Sequence, residues 1–437
     1  MKSFFRAKRA SSCRQRTFEF VEKSRRRDRW FKTGIVLAFC VAVAIVLGAA
    51  PRGRYVVASA RALARDTVRK TLGLATPRTE IDEAWRRFRN QGIADSRSAL
   101  TPIYGGAGPD MQRLMRYAGM SPDHHLLRWG NFDRTLLLPA AVFEADDQGR
   151  SYRLRPCTDA IWLREVTIRS GVLMFFLVPD GPGLAAAIKG TSAIPVTTSQ
   201  QSTNSWGLRG PEPDLQSPLR VLVLGDSFMQ GLFIGDDDTP PECLRRELEE
   251  RLDTRVSVLN TGHLGYSPEQ YYYSLVEFAD RFRPHVVVVS TFANDFGDIA
   301  EVVISGKGDW EEAKYWMEKI TQFCRSREWP YLIVPVPYEP HVLGRRKVGY
   351  YPGLLSNVLK ENALTFLDPG DDLLNAHLDL VVAGERAGKR PSGCPLFNGQ
   401  IGDGHFSALG SLAWAKIVAR RLTLLLETNP SVTREKN

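Results

Sequence analysis

Four short blocks of this 437-residue chain carry side chains suited to moving an acyl group. The first is Gly225-Asp226-Ser227-Phe228, placed where a strand-like run from Arg220 to Leu224, apolar from Val221 on, ends. A strand that stops at a serine holds its hydroxyl still, and the turn beyond it exposes that hydroxyl to a ligand. The second block is Asn260-Thr261-Gly262-His263-Leu264-Gly265, and the third is Phe292-Ala293-Asn294-Asp295. The fourth is Gly402-Asp403-Gly404-His405-Phe406-Ser407. In sum they offer a nucleophile, N–H donors for an oxyanion, a base and a carboxylate to orient it, which is the set acyl transfer needs. Alone, Gly-Asp-Ser reads equally well as a strand-to-helix turn with serine as a cap.

These blocks have to be brought together by regular structure. Strands are expected at 220–224, 256–260, 286–292, 331–336 and 364–367. Helices are expected at about 240–251, 267–282, 310–328, 353–362 and 407–427, with Thr239-Pro240 and Ser267-Pro268 as start signals. The strands are continuous apolar runs, so the fold class expected is α/β, with a parallel sheet covered on both faces. In such sheets ligands bind at the carboxyl ends of strands, where the first three blocks fall, and the fourth precedes the last helix at the equivalent edge.

With these four blocks in this order, the segment from about 205 to 427 resembles the SGNH (GDSL-type) hydrolase family. The resemblance implies a three-layer, flavodoxin-like parallel sheet and chemistry on an ester. By position it implies Ser227 as nucleophile, His405 as general base and Asp403 as its orienting acid. The oxyanion donors it implies are the Ser227 backbone N–H, the Gly262 backbone N–H and the Asn294 side-chain amide. Two departures stand out: Phe292 takes the place of a family glycine, and Asp403 precedes His405 by two residues where three is common. Upstream, Asn204-Ser-Trp-Gly-Leu-Arg-Gly210 resembles a lead-in of exported bacterial members, and reads equally as a linker whose Trp206 plugs the core.

Other polar residues get plainer readings. His263 is a loop histidine and His285 opens a buried strand. Asp226 and Asp295 brace turns, Asp236-Asp237-Asp238 is a solvated loop, and His124-His125 is structural because adjacent residues share no face. No metal and no cofactor is expected. Of six cysteines, Cys157, Cys243, Cys324 and Cys394 lie in the part expected outside the cytoplasm; bridges and core thiols both remain open.

The formal net charge of +9 resides entirely in residues 1–33, which hold twelve Lys/Arg and three acids; the remainder has 46 of each sign. Net charge therefore gives no sign of a nucleic-acid face elsewhere. The tail precedes an uncharged run, 34–50, closed by Pro51. It reads as a signal anchor over 34–51 rather than a cleaved signal peptide or a buried helix, because the basic tail before it is long. The domain organisation expected is a basic cytoplasmic tail (1–33), the transmembrane anchor (34–51), a helical juxtamembrane segment (52–94), an accessory β-rich region ending in a Ser/Thr/Gln-rich linker (95–204), and a catalytic domain (205–430). The function expected is a serine esterase acting through an acyl-enzyme on an acyl ester, O-acetyl included, of an envelope glycan or a small molecule, outside the cytoplasmic membrane. An O-acyltransferase on an exported polysaccharide, or a non-catalytic envelope scaffold of the same fold, are the alternatives; oligomeric state is left open.

Overall fold

The structure is a computed structural model describing residues 104–121, 138–146, 148, 150–165, 174–296, 308, 310–343, 351–361, 364–388, 393–398 and 404–428. They all fall within one folding unit, residues 84–437. The expected anchor (34–51), the juxtamembrane segment, His124-His125 and Asp403 lie outside the described residues. Among the described residues no helix is long and apolar enough to cross a membrane.

The centre is a parallel four-stranded sheet of β6 (Leu219–Leu224), β7 (Val256–Asn260), β8 (Val286–Thr291) and β9 (Tyr331–Pro335), in the order β7-β6-β8-β9. Every residue of β8 and β9 is buried, as both-face cover requires. The chain steps from β6 out to β7, then crosses back to β8, so strand order reverses beside β6. The carboxyl end of β6 thus opens at the switch point, where an open α/β sheet forms its crevice. The expected strand at 364–367 is reduced to a single bridge, Ile333 to Phe366.

Numbering helices along the chain, α1 is Pro109–Tyr117, α2 Leu184–Ile188, α3 Ser227–Gln230, α4 Pro240–Leu252, α5 Pro268–Phe282, α6 Trp310–Ser326, α7 Glu339–Val342, α8 Gly353–Glu361, α9 Gly370–Arg386 and α10 Ala408–Glu427. Their starts follow local chemistry. Thr239 accepts from Glu242 N–H with Pro240 at the first position of α4. Ser267 and Gln270 form a capping box on α5, and Ser407 caps α10 by accepting from Gly410 N–H at 3.2 Å. α9 was not expected from the sequence.

The region ahead of the sheet folds as the hairpin β1 (Phe143–Asp146) and β2 (Ser151–Leu154), and as an antiparallel sheet β4-β3-β5. The members of that sheet are β3 (Asp159–Glu165), β4 (Met174–Pro179) and β5 (Ile194–Ser202). The expected linker at 190–204 is corrected here: most of it is β5, paired with β3. Its polar composition is compatible with a strand because Ser199 and Gln201 turn inward while Thr198, Gln200 and Ser202 face out. Phe143, Tyr152, Leu154 and Trp162 belong to the same hydrophobic core as β6–β9. A second, smaller core joins α1 and α2 to the far side of β3 and β4 through Leu114, Leu163, Val178 and Leu184.

Candidate active site

Ser227 opens α3, one residue pair beyond the last residue of β6. Asp226 caps that turn by accepting from Phe228 N–H at 3.0 Å. The helix is one turn long and ends at Gly231, in the left-handed region at φ 78°. A side chain there would be strained, and its Cβ would also meet Thr239 Cγ2 at 2.8 Å. Ser227 is 5% exposed, and its Oγ lies 2.7 Å from His405 Nε2. That is the length of a good hydrogen bond from a hydroxyl to an imidazole nitrogen.

His405 is fixed from its own backbone. Asn398 N–H donates to His405 O at 2.7 Å, Phe397 and Phe406 form a bridge, and Ser407 N–H donates to Leu396 O. Its ring lies 4.7 Å from the ring of Phe228 and 6.4 Å from that of Phe233. Phe228 in turn meets Phe292 at 4.5 Å and Phe406 at 5.1 Å. Phe292, in the position where the family has glycine, therefore builds one side of an aromatic wall that reaches the imidazole.

Gly262 packs against the nucleophile helix. A Cβ on it would sit 2.6 Å from both Gln230 N and Met229 Cβ, so only glycine lets the loop approach this closely. Its N–H donates to Asn260 Oδ1 at 2.9 Å, while Asn260 Nδ2 reaches Met229 O at 2.9 Å. Asn294 stands in a short 3₁₀ turn, Ala293–Phe296, and is 7% exposed. Its side chain hydrogen-bonds Asp226, and its Oδ1 has no partner among the described residues. Asp226 is buried, which pushes its carboxyl up to about 6 against the pull of Phe228 N–H, His405 and Asn294. Asp295 accepts from Tyr271 Oη at 3.0 Å and from Phe292 N–H at 3.0 Å, and so braces the loop.

The remaining sequence candidates have structural places. His263 is buried: its Nδ1 faces Thr261 O at 3.3 Å and its Nε2 accepts from Leu154 N–H at 3.2 Å. It links the Gly262 loop to β2. Burial, with Arg150 nearby, drops its pKa to about 3. His285 Nδ1 accepts from Arg220 N–H. Asp236 accepts from Arg209 and from Ser202 N–H. Among the described residues no group of acids, histidines and cysteines could hold a metal, and Cys157, Cys243, Cys324 and Cys394 are free thiols.

Two residues of this neighbourhood were missed in the sequence. Gln230 is fully buried and accepts from Leu264 N–H at 2.5 Å. Arg209, in the lead-in, has its side chain wholly buried behind the nucleophile helix. The only sequence signal for it was a charged residue set among Trp206, Leu208 and glycines.

A serine at the carboxyl edge of a parallel sheet, hydrogen-bonded to a histidine ahead of the last helix, defines a serine-hydrolase-type centre. With its four motif blocks, the carboxyl-terminal half of the chain resembles the SGNH (GDSL-type) hydrolases in the order and placement of these residues. No family model and no curated protein matches the chain. Among solved structures it is similar to a G-D-S-L-family lipolytic protein from Desulfitobacterium hafniense, at 15% identity and TM-score 0.32, over 46% of this chain and 98% of that one. It is also similar to the acetyl xylan esterase AlAXEase (14%, TM-score 0.34, 48% and 100%). A third similar structure is a lipase/acylhydrolase from Enterococcus faecalis (16%, TM-score 0.32, 47% and 96%).

Proposed function

We propose that the protein is a serine ester hydrolase that removes a short acyl group, acetyl above all, from an envelope glycan or a small ester. The observation that carries this reading is the 2.7 Å contact between Ser227 Oγ and His405 Nε2. In the proposed cycle His405 takes the Ser227 proton as Oγ attacks the ester carbonyl. It then returns that proton to the departing alkoxide as the C–O bond breaks, leaving an acyl-enzyme. Water, deprotonated by the same imidazole, releases the acid and restores Ser227. Asp403 is proposed to orient the imidazole.

The oxyanion would be met by the Ser227 N–H, at the first position of α3 where a helix N–H has no intrahelical acceptor. Asn294 would add its amide: an NH₂ group has two N–H bonds, so it can serve Asp226 and the oxyanion together. The Gly262 N–H would serve as a third donor, shared with Asn260 Oδ1. One well-aimed donor of this kind is worth about 2.7–4 kcal/mol in the transition state.

A short acyl group is supported by Phe292, whose ring fills volume beside Asn294 that a glycine would leave open. Anchoring through residues 34–51, with the catalytic domain on the exported side, is the placement proposed; an alkaline phosphatase fused to the carboxyl terminus should be active, and an inactive fusion rejects it. The substrate reading is tested with p-nitrophenyl esters of rising chain length and with acetylated glycans. Fastest turnover is expected on acetyl. Preference for octanoyl, or release of acetyl only when a sugar acceptor is supplied, would replace it with a lipase or an O-acyltransferase.

A further inference from the structure

We propose that Arg209 is a positioning residue for the nucleophile: its guanidinium fork fixes the helix that carries Ser227 and, through Gln230, the Gly262 loop. The inference rests on Ser227 acting as the nucleophile.

The geometry is specific. A guanidinium has five N–H donors in one plane, and Arg209 uses all five. Nε donates to Asp236 Oδ1 at 2.8 Å. Nη1 donates to Gln230 O at 2.8 Å and to Gly231 O at 2.5 Å. Nη2 donates to Ile234 O at 2.6 Å and to Gln200 O at 3.2 Å. Three of these acceptors lie at or just past the end of α3, where a helix leaves carbonyls unpaired. A four-residue helix cannot hold itself, because one turn does not repay nucleation. Its shape is imposed from outside, by Arg209 at one end and Asp226 at the other.

The constraint continues to the neighbouring loop. Gln230 Oε1 accepts from Leu264 N–H, two residues past Gly262, and Gln230 Nε2 lies 3.5 Å from Gln201 Oε1 on β5. Gly262 itself touches the backbone of Gln230. Residues 200–209 thus grip both walls of the proposed oxyanion site from behind. Burial drives the Arg209 pKa down while Asp236 holds it up. A buried charge is expensive, and a core built for stability alone would use an apolar residue. What an apolar residue cannot supply is a rigid fork serving four carbonyls at once. Lysine keeps the charge but has three donors on one atom, and cannot reach the same fan of acceptors.

The test uses the full chain, as wild type and as Arg209→Lys and Gln230→Leu variants. Each is titrated to completion with a fluorophosphonate, so that rates are counted per competent serine, and p-nitrophenyl acetate turnover is measured. Arg209→Lys is expected to lose ~10-fold or more in kcat per titrated site, with KM within about threefold, since displacement of reacting groups by ~1 Å can cost 10²-fold. The initial rate of fluorophosphonate labelling should fall with kcat. A purely structural role would lower Tm and the titrated fraction and leave kcat per site unchanged, and that result overturns the proposal. If Arg209→Lys does not fold, Gln230→Leu decides: it cuts the link to Leu264 and leaves Arg209 in place. It should lose at least ~5-fold in kcat, and wild-type kcat there sinks the idea. A wild type that neither turns over nor labels would instead remove the reading of Ser227 on which the inference stands.

Discussion

Ser227 and His405 stand 178 positions apart in the chain and 2.7 Å apart in space. Replacing either by alanine should reduce ester turnover by about 10³-fold or more, with little change in fold, because the groups act as a unit. Circular dichroism and steady-state kinetics check this together. His263 makes a separate prediction, about stability. Its folded pKa is about 3 against an ordinary 6.5, so between these values the unfolded chain binds a proton that the folded chain does not. Stability contributed by His263 is complete above pH 6.5 and drains away as pH falls toward 3, on the order of 5 kcal/mol over the full window. Asp226 works the other way: raised to about 6, it costs stability as pH rises from about 4 to 6. Urea unfolding from pH 4 to 7 should therefore show a His263→Gln variant that has lost the acid-side decline and keeps the opposing trend; a variant parallel to wild type contradicts the assignment. At this scale the sequence was informative wherever residues act in short blocks: Ser227, Asn294 and His405 could all be singled out in advance. Arg209 could not, because its five acceptors come from β5, α3 and the loop beyond, and no local pattern foretells that convergence.

The elements were legible in proportion to their apolar continuity. β6 from Val221 on, the four valines that open β8, and β9 are hydrophobic runs, and α4, α5 and α10 announce themselves with caps. β5 was not legible, since Thr, Ser and Gln fill it and only its pairing with β3 makes it a strand. Within the site, the wall of Phe228, Phe292 and Phe406 sets an expected effect. Phe292→Gly should open space beside Asn294 and shift the preference among p-nitrophenyl esters toward butyryl or longer chains by about tenfold. Truncating a core phenylalanine should also cost about 3–5 kcal/mol of stability, so the comparison is made as a ratio of kcat/KM values within one variant. An unchanged ratio would free Phe292 of any part in substrate choice. Gly262→Ala is the complementary change. A Cβ 2.6 Å from Gln230 N must push the loop away from α3, so turnover should fall even on acetyl esters, with Tm lowered as well.

Across the whole molecule, the region ahead of the sheet is built into the same core as the parallel sheet. Arg150 is the clearest sign. Its side chain is 2% exposed and pairs with Asp146 at 2.9 Å and with Glu277 on α5. Its backbone carbonyl accepts from Gln270 Nε2 at 3.1 Å, and its guanidinium lies over Phe278. Tyr266 Oη donates to Tyr152 O, and the Tyr266 ring stacks on that of His263. Arg150→Ala strands Asp146 without its partner and should lower unfolding stability by about 3–5 kcal/mol in denaturant titrations, because a buried charge left alone costs far more than the pair returns. A loss under about 1 kcal/mol would show that the hairpin does not bear on the main core.

Ser227 is the residue on which the proposed chemistry depends. The most direct measurement is fluorophosphonate labelling of the full-length protein, with the modified residue located by mass spectrometry. Wild type should take up one label at Ser227, and Ser227→Ala should take up none while keeping its fold. No labelling of wild type, or equal labelling of the two proteins, would contradict a nucleophilic Ser227.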